Sequence, residues 1–411
     1  MKGYFVDKKT GEPILQNGKK VTAEKSFTAE AESGVVIMEF SFDGKLISPE
    51  PVVVFESLYY KDIEIAVHAD IEDEEQSDYI PEIGTTAVSK DTEDHITQAD
   101  EEVTIIDTVD YQGLKPDTKY VVKGILMDKE TGKELLDANG QKITSEQSFV
   151  TGKCKEGEAS ISGSIDLEFK FDGSVLAGKT AVAFERLYQS DKEVAVHTDI
   201  EDEEQTIHFP DAKTNAADTA TGTHTAHLDE KVEIEDLVKY TNLLPGKEYT
   251  VKGTLMVKET EKPLLDKDGK EITVKKKFKA EKPDGEILIV FENIDTTNLV
   301  GKHIVAFEEV QYEGVTVVLH ADIEDEDQTV VVPEIRTMAA DKASGGKTMT
   351  LGDEVALIDV VSYSGLTPGE EYILKGRVMD KANGEVLKMD DKEVVSEMRF
   401  IPETPEGAVC M

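Results

Sequence analysis

Five kinds of side chain that together could transfer an acyl group recur at fixed local spacings along this 411-residue chain. A threonine hydroxyl can act as the nucleophile, an imidazole can take its proton, a carboxylate can hold the imidazole, and a glutamine carboxamide can be the acceptor. The first set is Thr85, Asp107, Glu185, His197 and Gln205, and the second is Thr214, Asp236, Glu308, His320 and Gln328. Attack of the threonine on the glutamine would release ammonia and leave an ester inside the chain, with proximity supplying much of the rate.

Strand periodicity points the carboxylates of these sets inward. Apolar and polar residues alternate in 103–111, and Asp107 has the parity of the apolar ones. Glu185 likewise shares its parity with Ala183 and Leu187. The other acids that follow this rule are Glu56, Asp236, Glu308 and Asp359. Because burying an ionised carboxylate is costly, such a group must be paired, hydrogen-bonded or kept protonated by a raised pKa. A raised pKa suits acid-base chemistry near neutral pH.

Equal spacings place an imidazole beside one of these acids. Glu185 and His197 are twelve residues apart around a turn near Asp191, so a hairpin folded there sets them opposite each other. The equivalent pairs are Glu56 with His68 and Glu308 with His320. A glutamine follows each histidine by eight residues, at Gln76, Gln205 and Gln328. We expect a second hairpin, through the acidic Asp-Ile-Glu-Asp-Glu-Glu segment, to put Glu, His and Gln in one row across three successive antiparallel strands.

The acidic segment also marks an internal repeat. It lies within 67–76, 196–205 and 319–328, and a block that begins with proline recurs at 81–85, 210–214 and 333–337. These spacings predict a partial repeat at 1–80, complete repeats at 81–209 and 210–332, and a partial repeat at 333–411. A chain that begins and stops inside a repeat is interpreted as a fragment of a longer protein.

The two partial repeats carry different halves of the set. The leading one has Glu56, His68 and Gln76, and the trailing one has Thr337 and Asp359. Neither can close a bond alone. Bond formation between two chains is an alternative that the sequence leaves open.

The periodicity favours strands throughout. Residues 232–240 alternate as a half-buried strand does, and turn-forming sequences follow at short intervals, as at 111–117 and 171–174. No persuasive amphipathic helix is found in the sequence. Strands at this spacing in units of about 125 residues predict an all-β fold of tandem immunoglobulin-like β-sandwich domains. We expect these domains to be arranged as an elongated rod.

Charge and composition restrict the classes of molecule that this chain could bind. With 45 Lys+Arg against 86 Asp+Glu, the net charge of −41 argues against binding nucleic acid or an anionic membrane surface. No apolar run approaches the roughly 20 residues of a spanning helix, and no secretory signal or anchor is recognised. Cys154 and Cys410 are too few for a disulfide framework. A protein of this kind outside the cell would need a different covalent staple.

At these residues the sequence resembles the Thr-Gln ester-bond domains, or VaFE repeats, of Gram-positive surface adhesins. The motif Val-Ala-Phe-Glu stands at 182–185 and 305–308, with Val-Val-Phe-Glu at 53–56 as a variant. The resemblance implies one ester from Thr85 to Gln205, assisted by Asp107, Glu185 and His197, and one from Thr214 to Gln328, assisted by Asp236, Glu308 and His320. Several threonines within 211–227 compete with Thr214, whereas Thr85 has only Thr86 as a close rival.

The resemblance further implies a structural stalk on the cell surface rather than a turnover enzyme. Each site would react once, without cofactor or metal, and the chain would be held at the cell wall through a C-terminal region that it lacks. A host or surface ligand would bind through regions outside this chain.

Three other functions compete with the ester crosslink. A Lys-Asn isopeptide bond would need an asparagine after the histidine, and neither complete repeat has one. The sequence contains neither a phosphate-binding loop nor the common metal-binding motifs, which argues against a turnover enzyme. The runner-up is an extracellular spacer without crosslinks whose acidic turns bind calcium, because clustered carboxylates suit hard cations.

Overall fold

The computed structural model describes residues 1–43, 50–349, 352 and 355–411, and it divides into two compact units, Met1–Pro210 and Asp211–Met411. Each unit is described by itself. Regular structure in the described residues is almost entirely β, and no helix among them is long and apolar enough to cross a membrane.

The start of the first unit forms a sheet in the order β4-β1-β5-β6, with β7 also paired to β5. Its strands are β1 (Lys2–Asp7), β2 (Leu15–Gln16), β3 (Lys19–Lys20), β4 (Thr22–Glu24), β5 (Val52–Tyr60), β6 (Ile63–His68) and β7 (Ser77–Asp78). The short strands β2 and β3 form a separate hairpin. Phe5, Val21 and Val52 form a small core against this sheet.

The rest of the first unit is a sandwich of two sheets. Its strands are β8 (Glu82–Ser89), β9 (Val103–Leu114), β10 (Lys119–Asp128), β11 (Thr144–Val150), β12 (Ile161–Phe171), β13 (Thr180–Gln189), β14 (Lys192–His197) and β15 (Thr206–His208). One sheet has the order β12-β9-β8, and the other has the order β11-β10-β13-β14 with β15 also on β13. Strand β9 alternates buried and half-buried residues along most of its length, so its apolar face meets the facing sheet in one core. The prediction of an all-β, immunoglobulin-like fold is confirmed.

The second unit repeats this arrangement. Its first part contains β16 (Asp211–Lys213), β17 (Ala216–Asp218), β18 (Val232–Thr241), β19 (Glu248–Val257), β20 (Lys262–Pro263), β21 (Thr273–Lys279), β22 (Gly285–Ile294), β23 (His303–Tyr312), β24 (Val315–His320) and β25 (Thr329–Val331). Strands β16, β17 and β22 all pair with β18, while β19, β23 and β24 build the facing sheet.

The end of the second unit forms smaller sheets. It contains β26 (Glu334–Asp341), β27 (Leu357–Ser364), β28 (Tyr372–Arg377), β29 (Lys388–Met389), β30 (Lys392–Glu393), β31 (Val395–Phe400) and β32 (Gly407–Cys410). Strand β27 lies between β26 and β32, and the other pairs are β28 with β31 and β29 with β30.

One expectation about the strands is wrong. Glu185 and His197 do pair across the β13–β14 hairpin, as their spacing predicts, but the glutamine does not continue the row on a third strand. Strands β14 and β15 both pair with β13, on the edge that β10 leaves free. The acidic segment between them ends in a 3-10 turn over Glu203–Gln205, because the Asp202 side chain caps that turn. The chain therefore loops out and returns to the same edge.

Candidate functional site

The first sandwich places a threonine and an aspartate side by side on one sheet. Thr85 on β8 faces Val109, and Ala87, two residues on, faces Asp107 on β9. Because residues two apart share a face, both polar side chains point between the sheets. Thr85 is 8% exposed and Asp107 is fully buried. The rival Thr86 has the opposite parity and is exposed.

The facing sheet supplies the second acid and the imidazole. Glu185 of β13 is fully buried and pairs with His197 at the end of β14. The imidazole is farther out, with 24% of its side chain exposed.

Asp202 holds both the imidazole and the glutamine in place. Its Oδ2 lies 2.7 Å from Nε2 of His197, and its Oδ1 accepts a 2.9 Å hydrogen bond from the backbone N–H of Glu204. Its backbone carbonyl also accepts from the N–H of Gln205 at 3.3 Å. Sequence reasoning treated this residue only as part of an acidic turn. The available signal was an aspartate five residues after each histidine, at Asp73, Asp202 and Asp325.

The side chains of Thr85, Glu185, Gln205 and Asp107 meet between the two sheets. The Thr85 hydroxyl donates a 3.0 Å hydrogen bond to Oε2 of Glu185. The Gln205 carboxamide donates a hydrogen bond to the Thr85 oxygen, and its Nε2 lies 3.4 Å from Oδ1 of Asp107. The hydroxyl partner is therefore Glu185, whereas the sequence favoured His197 as its base. Gln205, 120 residues from Thr85 in sequence, is fully buried.

Burial and mutual proximity shift the pKa values of the two acids. Burial raises the pKa of Asp107 to about 6. Burial, together with the nearby Asp107 charge, raises the pKa of Glu185 to about 10. The two carboxyls titrate as a pair, so at neutral pH they hold one proton between them. In the described residues, Oδ2 of Asp107, Oε1 of Glu185 and Oε1 of Gln205 have no hydrogen-bond partner.

The second sandwich assembles the same residue types with different contacts. The Gln328 carboxamide donates a hydrogen bond to Glu308 rather than to the threonine. Thr214 lies near enough to favour the ionised form of Glu308, but its Oγ1 has no hydrogen-bond partner among the described residues. Burial raises the pKa of Asp236 and, with the nearby Asp236 charge, that of Glu308.

The imidazole of this second site is held as in the first. His320 pairs with Glu308 across β23 and β24 and lies 3.0 Å from Asp325.

The partial repeats bring together only their own halves. Glu56 pairs with His68, whose Nε2 is 2.8 Å from Asp73, and Gln76 ends a 3-10 turn. Among the trailing residues, Thr337 faces Val361 and Ala339 faces Asp359, the register of the complete sites. Here Thr337 is exposed and Asp359 is half-buried.

The acidic turns use their carboxylates internally. Oδ1 of Asp199 accepts from the backbone N–H of Glu201 at 3.0 Å, in addition to the contacts of Asp202. Across 1–43, 50–349, 352 and 355–411, no three His, Cys, Asp or Glu side chains are grouped to hold a metal ion.

Each complete β-sandwich domain thus buries a threonine, a glutamine and two carboxyls between its sheets. The family model described as "T-Q ester bond containing domain" matches residues 1–78, 81–209, 210–332 and 333–411. The chain belongs to this family, and the resemblance noted in its motifs is confirmed.

Solved structures show distant likeness. A bacterial adhesin from Mobiluncus mulieris containing intramolecular disulfide, isopeptide and ester bond cross-links is 13% identical, with a TM-score of 0.25, over 68% of this chain and 92% of the adhesin. A glycosyl hydrolase family 2 member from Bacteroides cellulosilyticus is 6% identical, with a TM-score of 0.22, over 62% of this chain and 30% of the hydrolase. At such TM-scores neither likeness supports a conclusion about this chain. Among curated proteins, no sequence matches.

Proposed function

We propose that the complete repeats at 81–209 and 210–332 each close one intramolecular ester, from Thr85 to Gln205 and from Thr214 to Gln328. The observation that carries this proposal is the contact of the Thr85 hydroxyl with both the Gln205 carboxamide and Glu185 in the buried interior between the sheets. Nucleophile, acceptor and base are thus in reach of one another before any bond forms.

The chemistry needs only groups of this chain. Because Glu185 has the higher pKa of the two acids, it carries the shared proton at neutral pH. That proton first passes to Asp107, and the Glu185 carboxylate then accepts the proton of Thr85 as its Oγ1 attacks Cδ of Gln205. The tetrahedral centre then expels the nitrogen, which takes a proton from the acid pair through Asp107 and leaves as ammonia. The C–N bond breaks, the C–O bond remains as an ester, and the pair again holds one proton. The imidazole, held by Asp202, lies on the open side of Glu185 and stabilises the negative charge of the pair.

The ester makes the domain mechanically resistant and takes no part in a catalytic cycle. It ties the first strand of a domain to the turn before the last strand, so unfolding from either end is stopped at the bond. Cys154 and Cys410 are free thiols, so the ester is the covalent staple that this sequence needs. We propose that the chain is a stalk region of a bacterial cell-surface adhesin, extracellular and held at the wall through a C-terminal region outside this chain. The adhesive ligand would bind elsewhere in the protein.

Intact mass of the purified chain tests the ester. Two closed domains should weigh about 34 Da less than the sequence, about 17 Da for each ammonia released in acyl transfer. Tandem spectra should join Thr85 to Gln205, since a Lys-Asn isopeptide would lose the same mass. Thr85→Val should halve the deficit, and Thr86→Val, at the exposed neighbour, should leave it unchanged. A chain of full mass would disprove the proposal.

A further inference from the structure

A glycine stands beside the buried glutamate of each complete repeat. Gly124 of β10 pairs with Glu185, and Gly253 of β19 pairs with Glu308. The leading repeat has the same pair, Gly3 with Glu56. None of these glycines has a positive φ, so backbone conformation does not require glycine there. What the position requires is the absence of a side chain.

Apolar side chains from the facing sheet occupy the space that a side chain would need. A Cβ on Gly124 would lie 2.6 Å from Cζ of Phe169 and 2.8 Å from Cδ1 of Leu167. Non-bonded carbons prefer separations of about 3.5–4.0 Å, so even a methyl group would displace the ring. Both Phe169 and Leu167 are fully buried.

The second repeat has the same arrangement with its own residues. A Cβ on Gly253 would lie 2.5 Å from Cζ of Phe291 and 2.7 Å from Cδ1 of Ile289. The ring position is therefore phenylalanine in both complete repeats, and the leading repeat places Phe40 against Gly3 in the same way.

These apolar side chains also border the other acid. Leu167 pairs with Asp107 on β9, and Ile289 pairs with Asp236 on β18. The acid pair of the first repeat thus has an apolar wall, Leu167 and Phe169, on one flank and the reacting residues on the other. Water has to be kept from this flank for the pair to share one proton near neutral pH.

We infer that Gly124 and Gly253 are positioning residues for ester formation. Because neither residue has a side chain, the apolar wall can pack beside the acid pair and exclude water from it. This role rests on the proposed function. Neither glycine touches the threonine or the glutamine of the reaction. The effect of each glycine passes through the glutamate. The raised pKa of Glu185, caused first by burial, is consistent with such a wall.

The chain carries its own reference for a test, because each repeat has one site. Gly124→Ala in the full chain should slow closure of the first ester by about tenfold, as expected when a positioned acid changes its pKa by about one unit. The second ester should form at its usual rate, and Gly253→Ala should reverse the pattern. Peptide mapping of freshly synthesised chain over time gives both rates. Gly152→Ala is the matched control, since a Cβ there meets nothing within 4 Å.

A second readout separates positioning from packing. In a chain that also carries Thr85→Val and Thr214→Val, no ester carbonyl forms. Ordinary carboxyls are ionised at about pH 8, so the infrared C=O band of protonated carboxyl then reports the two buried acid pairs. Phe169→Leu keeps the wall apolar but opens a gap, and it serves if Gly124→Ala fails to fold. In either variant, the acid pair of the first repeat should lose its protonated-carboxyl band at a lower pH than it does without the substitution.

Unchanged closure rate and band, with only a lower melting temperature, would show that Gly124 serves packing alone and would overturn the inference. Full mass in the unsubstituted chain would instead refute the ester itself, so the two failures are distinguishable.

Discussion

The two complete repeats differ at the threonine and at the contact that the glutamine makes. Thr85 lies within an eight-residue strand, whereas Thr214 lies between the short strands β16 and β17. The Thr85 hydroxyl bonds to Glu185, but that of Thr214 has no partner in the described residues. Correspondingly, Gln205 reaches its threonine and Gln328 reaches Glu308.

The shared features show what the site cannot do without. Both repeats bury two facing acids, clamp an imidazole with an aspartate five residues on, and deliver the glutamine from the turn that this aspartate caps. The electrostatic part of the site is therefore common to both sandwiches, while the strand that carries the threonine is continuous in the first repeat and interrupted in the second. Changes to the acids should affect both repeats equally, and changes near the threonine should separate them.

Removing one acid should give the largest effect. Glu185→Gln keeps the shape but takes away the group that accepts the Thr85 proton, so the first ester should form about 10²–10⁴ times more slowly. Glu308→Gln should do the same to the second repeat alone. Intact mass with peptide mapping measures both. If the two substitutions differed widely in effect, the acids would not be the common part of the two sites.

Loss of an ester should lower stability by similar amounts in the two repeats. The Thr85–Gln205 bond would close a loop of 120 residues, and chain entropy gives about 4–5 kcal/mol for a crosslink of this span. Thr85→Val and Thr214→Val remove the hydroxyl with little change in shape. Denaturant unfolding of each variant gives the difference, with Thr86→Val as the exposed control. A loss well under 1 kcal/mol would mean that the bond does not constrain the unfolded chain.

Local patterns predicted much of this site. Alternation with a period of two fixed the inward parity of Asp107, and hairpin length fixed the pairing of Glu185 with His197, because both depend only on neighbouring residues. The position of Gln205 depends instead on a side-chain cap by Asp202, which competes with the hairpin that the spacing favoured. Likewise, nothing in the sequence shows that the Thr85 hydroxyl meets Glu185, since that contact joins two sheets.

The pH dependence of closure should be bell-shaped in both repeats. In the first, the pKa values of about 6 for Asp107 and about 10 for Glu185 leave one shared proton between those limits. Below about pH 6 the pair is doubly protonated and cannot accept the hydroxyl proton, and above about pH 10 it cannot supply one to the nitrogen. Closure rates of freshly synthesised chain across this range check the shape. A rate that rose steadily with pH would show that the second proton is not needed.

The same shifts predict a stability trend in the uncrosslinked Thr85→Val chain. Because the folded pKa values are raised, the site's contribution to the unfolding free energy is full below about pH 4, where the unfolded carboxyls titrate, and is lost as the pH rises through the folded values. Unfolding midpoints across this range, compared with those of a chain that also carries Glu185→Gln, isolate that contribution.

The smallest expected effect is the order of closure. In the first repeat the hydroxyl already bonds to its base and touches its acceptor, whereas in the second Gln328 must leave Glu308 before Thr214 can attack. We expect the second ester to form about three to ten times more slowly, which corresponds to a barrier higher by about 1 kcal/mol. Lys213→Gly and Asn215→Thr, which copy the residues on either side of Thr85, should reduce the difference between the two closure rates. Equal rates in the natural chain would place the slow step in proton transfer by the acid pair, which both repeats share, rather than in the approach of the threonine.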